Sequence, residues 1–131
     1  MADASCPQDL LYHPEHDWVR IDDGDETLAV FGITWYAQDA LGEVVFFDPP
    51  AVGTAVSAGE SYAEVESVKA VSDVIAPLSG EIVEVNEDLG DEPEAINGDP
   101  YGAGWMVKVR LSDVSEKDDL LDAAAYEATL G

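Results

Sequence analysis

Basic side chains are nearly absent from this sequence: five Lys and Arg stand against twenty-nine Asp and Glu, a formal charge of −24. That balance excludes a surface built for nucleic acid or anionic membrane, both of which need clustered cations. Partners with basic patches fit it, as does solubility in a salty cytoplasm. Cysteine is equally scarce. Cys6 is alone, so no intramolecular disulfide can form, and a reducing compartment is the simplest setting. Long apolar runs are missing too: no stretch approaches the ~18 residues of a membrane-spanning helix, and no basic segment followed by an apolar one opens the chain. A soluble, cytoplasmic protein is the expectation.

What is present is enough for one domain over residues 1–131, with 47% apolar residues to build a core. Residues 1–9 lack periodicity and read as a frayed tail. Trp18-Val19-Arg20-Ile21 and Thr27 to Ile33, separated by the turn residues Asp22-Asp23-Gly24-Asp25, form a first hairpin. Thr34 is a helix N-cap and Gly42 an exit, so a short helix lies between them. Glu43 to Asp48 is strand-like and stops at Pro49-Pro50, Gly53 to Glu60 gives two short extended pieces, and Glu81 to Asn86 is another strand. Residues 88–100, rich in proline, glycine and acids, read as an irregular surface loop. In Trp105 to Leu111 the apolar residues alternate: Trp105, Val107, Val109 and Leu111 face the core, and Met106, Lys108 and Arg110 face away. From Ser115, as N-cap with Asp118 at the capping-box position, a helical segment carrying Leu120, Leu121, Tyr126 and Leu130 runs to the end, with a break near Asp122. About eight short strands with a small inserted helix and a C-terminal helix indicate a mainly β fold, a flattened barrel or sandwich.

The stretch from Gly59 to Ile82 stands out. Small and β-branched residues interleave with Glu64, Glu66 and Asp73 on two strands, and Lys69 sits at the tip between them. A nucleophilic lysine needs its ammonium destabilised by burial or neighbouring cations, whereas these neighbours are acids that favour the charge. Catalysis by Lys69 is therefore not expected. Two uses remain: a solvated turn residue balancing nearby acids, or an acceptor of covalent modification. Isolation in a lysine-poor chain, the hairpin tip and the small flanking residues Ser67, Ala70 and Ser72 favour the second. His13 and His16, three apart, have the spacing of a metal pair, but Pro14 disfavours the helix that would align them and no third ligand is evident.

Glu66-Ser67-Val68-Lys69-Ala70, with Ser72-Asp73 and Ala76-Pro77-Leu78-Ser79-Gly80-Glu81, closely resembles the lipoyl-attachment motif of the H proteins of glycine cleavage systems. Similar family segments occur in order elsewhere: His16-Asp17-Trp18-Val19, Gly32-Ile33-Thr34, Tyr36 to Gly42, Asn97 to Gly102 with Gly104-Trp105, and Leu120 to Ala123 with Tyr126. The resemblance spans about Leu10 to Leu130. It implies a lipoyl-domain-like fold and a monomeric, non-catalytic carrier with lipoic acid on Lys69. The implied partners are glycine decarboxylase, an aminomethyltransferase, dihydrolipoamide dehydrogenase and a lipoyl or octanoyl transferase or ligase. Acylation would erase the lysine charge, release the tip from pairing with Glu66 or Asp73, and create an arm roughly 12–15 Å long. By the same similarity, Asp17 and Asp73 line a cleft guarding the aminomethyl-loaded arm, with Glu15 and Tyr36 as secondary candidates; as a separate hypothesis, Glu64 and Glu66 are read during lipoylation.

Two residues depart from the family pattern: Asp17 stands where Glu is usual, and Trp35 where Asp is usual. Among rival carriers, biotin domains place methionine on both sides of the lysine, and lipoyl domains of 2-oxoacid dehydrogenases carry Asp directly before it. Here the flanks are Val68 and Ala70. An H-like relay passing lipoyl or octanoyl groups to other complexes shares every feature above. A small acid–base hydrolase using two carboxylates has only the abundance of acids in its favour.

Overall fold

The structure, a computed structural model, describes residues 7–129. Residues 1–6 of the expected tail, Cys6 among them, and Leu130 lie outside the described residues. Nine strands form two antiparallel sheets within that range, neither closed into a barrel. The larger sheet has the order β1-β2-β3-β9-β8-β5, built from β1 (Leu11–His13), β2 (Asp17–Asp22), β3 (Asp25–Ile33), β9 (Val107–Leu111), β8 (Gly80–Val85) and β5 (Ala55–Val56). The smaller has the order β4-β6-β7, from β4 (Val44–Asp48), β6 (Ser61–Ser67) and β7 (Val71–Ile75).

Both sheets turn apolar residues toward one core. Val19, Ala29, Phe31, Ile82, Val107 and Val109 come from the larger sheet, and Val44, Phe47, Val65 and Val74 from the smaller. Full burial of each large side chain stabilises by about 1.5–3 kcal/mol. A second cluster lies on the opposite face of β1–β3, where Leu10, Tyr12 and Trp18 pack against Ala123 and Tyr126 of α4 (Ala123–Thr129). Strand β2 is therefore covered on both faces, and Trp18 and Val19, which point oppositely, are both fully buried. Gly32 is opposite Trp18 in the register, and a Cβ there would fall 2.6 Å from the indole ring. The indole lies flat over this glycine and donates from Nε1 to the Pro100 carbonyl at 2.9 Å.

The caps of α1 (Trp35–Leu41) are those read from the sequence: Thr34 accepts from the Ala37 N–H, and Gly42 leaves the helix at φ +83°. Elsewhere the structure corrects the sequence. Residues 88–100 contain two one-turn helices, α2 (Asp88–Asp91) and α3 (Ala95–Gly98), which bury Leu89 and Ile96. Gly53 to Glu60 provides one strand, β5, rather than two pieces. The C-terminal segment starts as a 3₁₀ helix at Val114–Asp119 capped by Asp113, not Ser115, because the Asp113 carboxylate accepts the Ser115 N–H at 3.0 Å. The break falls at 120–122, where Leu121 exchanges backbone hydrogen bonds with Tyr12. Met106 is buried in the main core beside Val107, and Trp105 leans on the second cluster instead. Asn86 causes that shift: its amide donates to the carbonyls of Ala103 and Trp105 and turns the chain before the pleat begins.

Candidate functional site

Lys69 is exposed at the β6–β7 tip. The Ser67 N–H donates to the Ala70 carbonyl at 2.8 Å, leaving Val68 and Lys69 as the central residues of a two-residue turn. Ser67, itself buried, holds that turn from inside: its Oγ accepts from the N–H groups of Ala70 (3.1 Å) and Lys69 (3.3 Å). The Val68 N–H donates to the Glu43 carbonyl, fastening the tip to the start of β4. Asn97 stiffens that junction, donating to Gly42 O and Gln38 Oε1 while accepting from the Val44 N–H. The Lys69 stem runs beside Gly42, with Cε 3.5 Å from where a Cβ would be. The tip is thus a hydrogen-bonded base for an exposed side chain. Its ammonium makes no ion pair with Glu66 or Asp73, contrary to the pairing expected from sequence; the salt bridges among the described residues are Lys108–Glu84 and Arg110–Asp25.

A cleft of about 400 Å³ opens beside Lys69. Ile33, Ala37, Leu41 and Val65 give it apolar walls, and Asp17 lies within it, 2% exposed. Burial pushes the Asp17 carboxyl well above the usual carboxylate range; a hydrogen bond from the Ile75 backbone opposes the shift, and the Glu15 charge adds to it. Asp17 Oδ2 is a buried polar side-chain atom with no hydrogen-bond partner among the described residues. Tyr62 is buried, and burial, reinforced by the Asp17 charge, holds its phenol well above the usual tyrosine value.

Of the residues singled out in sequence, Asp17, Glu15, Lys69 and Asp73 all border this cleft. Glu64 and Glu66 are exposed and do not line it. Asp73 pairs directly with Glu64, and Glu64 with Asp48, so three carboxylates cross the outer face of the small sheet in one row. Phe46, Glu66 and Val71 make the next row. Tyr36, expected at the cleft, does not line it; it is exposed, with its ring 4.6 Å from that of His16. His16 itself lines the cleft, and burial lowers its imidazole below the ordinary value against the pull of the Glu15 charge. No local sequence signal marks His16 as a cleft residue; only the turn that places it before Asp17 brings it there. The apolar spacing of Ala37 and Leu41 on α1 was the signal for the wall. The Trp35 N–H donates to the Tyr101 hydroxyl, but nothing in the structure explains tryptophan at that position.

The family model described as glycine cleavage H-protein matches residues 10–131. The chain is 55% identical over 125 residues to the glycine cleavage system H protein of Halorhodospira halophila, covering 95% of this chain and 94% of that one. It is 54% identical to the Escherichia coli O7:K1 protein of the same name, with 97% of each covered. The crystal structure of the H protein from Mycobacterium marinum superposes with a TM-score of 0.86 at 48% identity, covering 96% of this chain and 99% of that chain. The chain belongs to the glycine cleavage H-protein family.

Proposed function

We propose that this protein is a lipoyl carrier of the glycine cleavage system, with lipoic acid in amide linkage on Lys69. The observation that carries the reading is one lysine, exposed and free of ion pairs, at a rigid hairpin tip beside an apolar cleft. The residues fit the group. At about 400 Å³ the cleft is within the ~300–1,000 Å³ range of small-molecule sites, and its aliphatic walls suit an alkyl chain and a dithiolane ring. When attached, the group supplies a disulfide that takes up an aminomethyl unit and a dithiol that is later reoxidised.

The chain's own part is to hold and shield. Ser67 and Glu43 keep the tip in one conformation. Ile33, Ala37 and Leu41 exclude water from the cleft. Asp17, whose carboxyl burial pushes above the usual range, would present its unpartnered Oδ2 to a cationic amine, and that charge would favour the ionised carboxylate as counter-ion. Asp73 and Glu15 at the border add negative potential, and Glu64 and Glu66 remain available to the lipoylating transferase or ligase. The partners in this reading are glycine decarboxylase, the aminomethyltransferase and dihydrolipoamide dehydrogenase, met in turn by a cytoplasmic monomer.

Intact mass tests the proposal. The chain purified from a host supplied with lipoate and ligase gains one lipoyl adduct, and Lys69→Ala gains none; an adduct persisting in the variant refutes the assignment. The lipoylated chain then supports glycine–bicarbonate exchange by the decarboxylase, and failure there assigns it to lipoyl relay instead.

A further inference from the structure

The C-terminal helix touches the cleft from behind through one hydroxyl. Tyr126 Oη lies 2.7 Å from His16 Nδ1 and 2.8 Å from Thr34 Oγ1, so one atom joins two segments that are separate in sequence. His16 ends the turn before Asp17, with φ +73°, a conformation costly for a non-glycine residue and kept only where surroundings over-determine it. Here its carbonyl accepts the Thr34 N–H at 3.0 Å while its ring meets Tyr36 at 4.6 Å and the edge of Tyr126 at 5.7 Å. Thr34, fully buried, is the N-cap of α1, whose Ala37 and Leu41 form one wall of the cleft. The Tyr126 ring is immobilised in turn, stacked on Tyr12 at 4.7 Å with the planes 8° apart.

We propose that Tyr126 is a positioning residue: its hydroxyl clamps the His16–Asp17 wall to the α1 wall and so sets the width of the cleft that receives the arm. The proposal rests on the carrier reading for its use, but the clamp belongs to the unmodified chain. Helix α1 has only seven residues, and isolated helices that short are marginal in water, so its order depends on such fixings. A hydroxyl at the far end of the chain thereby becomes part of the site, although Tyr126 does not line the cleft.

Tyr126→Phe removes the hydroxyl and keeps both ring contacts; Tyr12→Phe removes a hydroxyl from the same stack, one that donates to the Pro7 carbonyl instead. Hydrogen exchange on the unmodified full chain reads the clamp. In Tyr126→Phe the Ala37 and Gln38 amides exchange on the order of tenfold faster, as expected for loss of a buried hydrogen bond, with the β9 amides unchanged. Tyr12→Phe leaves α1 at the wild-type rate. On the lipoylated chain, Tyr126→Phe lets a small water-soluble phosphine reduce the disulfide several-fold faster. Unaltered α1 exchange in Tyr126→Phe, or equal acceleration in Tyr12→Phe, overturns the proposal. If Tyr126→Phe fails to fold, Thr34→Val against Thr34→Ser carries the test, with only the valine variant expected to open the His16 side of the cleft to the phosphine; equal rates overturn it. An unlipoylated Lys69 in the mass measurement would remove the carrier reading while leaving the exchange result intact.

Discussion

The two sheets spend their few charges of opposite sign very differently. On the larger sheet two of the three cations pair with acids, Lys108 with Glu84 at 3.5 Å and Arg110 with Asp25 at 2.6 Å, while Arg20 donates to the Tyr101 carbonyl and lies over the Trp18 ring. The smaller sheet carries Lys69 alone and opposes like charges, with Asp48, Glu64 and Asp73 side by side and Phe46 and Val71 exposed around Glu66. Directly opposed like charges destabilise a sheet by a few tenths of a kcal/mol, up to about 1. The small sheet therefore owes its stability to its inner face, Val44, Phe47, Val65 and Val74, and leaves its outer face to whatever approaches Lys69. One sheet is built to hold the molecule together and the other to present a side chain.

The contrast breaks most sharply at Gly80. A Cβ there would collide with the Arg110 carbonyl and the Val109 side chain, where β8 and β9 approach most closely. Gly80→Ala is expected to cost about 3 kcal/mol or more by chemical denaturation, whereas Phe46→Ala on the outer face of the small sheet costs under about 1. Comparable losses at both positions would contradict the division of labour.

A smaller effect sits between the sheets, at Asp17. Its folded pKa is raised, so the native state binds a proton that the unfolded chain has released, and that stability is present at low pH. It is lost as pH climbs from the ordinary value of 3.8 through the raised folded one. Asp17→Asn removes this dependence. Denaturation profiles of the two proteins should diverge upward from about pH 4, with the asparagine variant relatively more stable at neutral pH; parallel profiles would mean that Asp17 ionises as a surface carboxylate does.

The smallest effect sharpens the comparison. Glu64→Lys turns the row of three acids into alternating signs, as on the larger sheet. A gain of about 0.5–1 kcal/mol is expected at low salt, shrinking at 1 M where the screening length falls to about 3 Å. A loss instead would show that the row is not under repulsive strain.

The lysine hairpin and the α1 caps were legible because the signals are local: alternating small and acidic residues on two runs around Lys69, and a hydroxyl and a glycine eight positions apart bracketing the helix. Residues 88–100 were misread because Pro93 and the acids look like loop chemistry, while the burial of Leu89 and Ile96 that orders them depends on the distant core. Ser115 and Asp113 are both good caps by residue type, and it is Asp113 whose side chain accepts the Ser115 N–H in the fold. Met106 fits the alternating pattern until Asn86, twenty residues earlier, takes hold of the preceding carbonyls.

By itself, then, the sequence determined the mainly β architecture and a single conspicuous lysine, because periodicity, turn residues and composition act over a few positions, and its motifs carried the family resemblance. Only the tertiary structure separated the acids around that lysine by burial and position. Asp17 and Asp73 looked alike in the sequence, yet one is buried with an unpartnered oxygen and the other lies exposed in a row of carboxylates. Desolvation and cross-strand register are properties of segments brought together from far apart, as is a tyrosine hydroxyl from the last helix reaching two walls of the cleft.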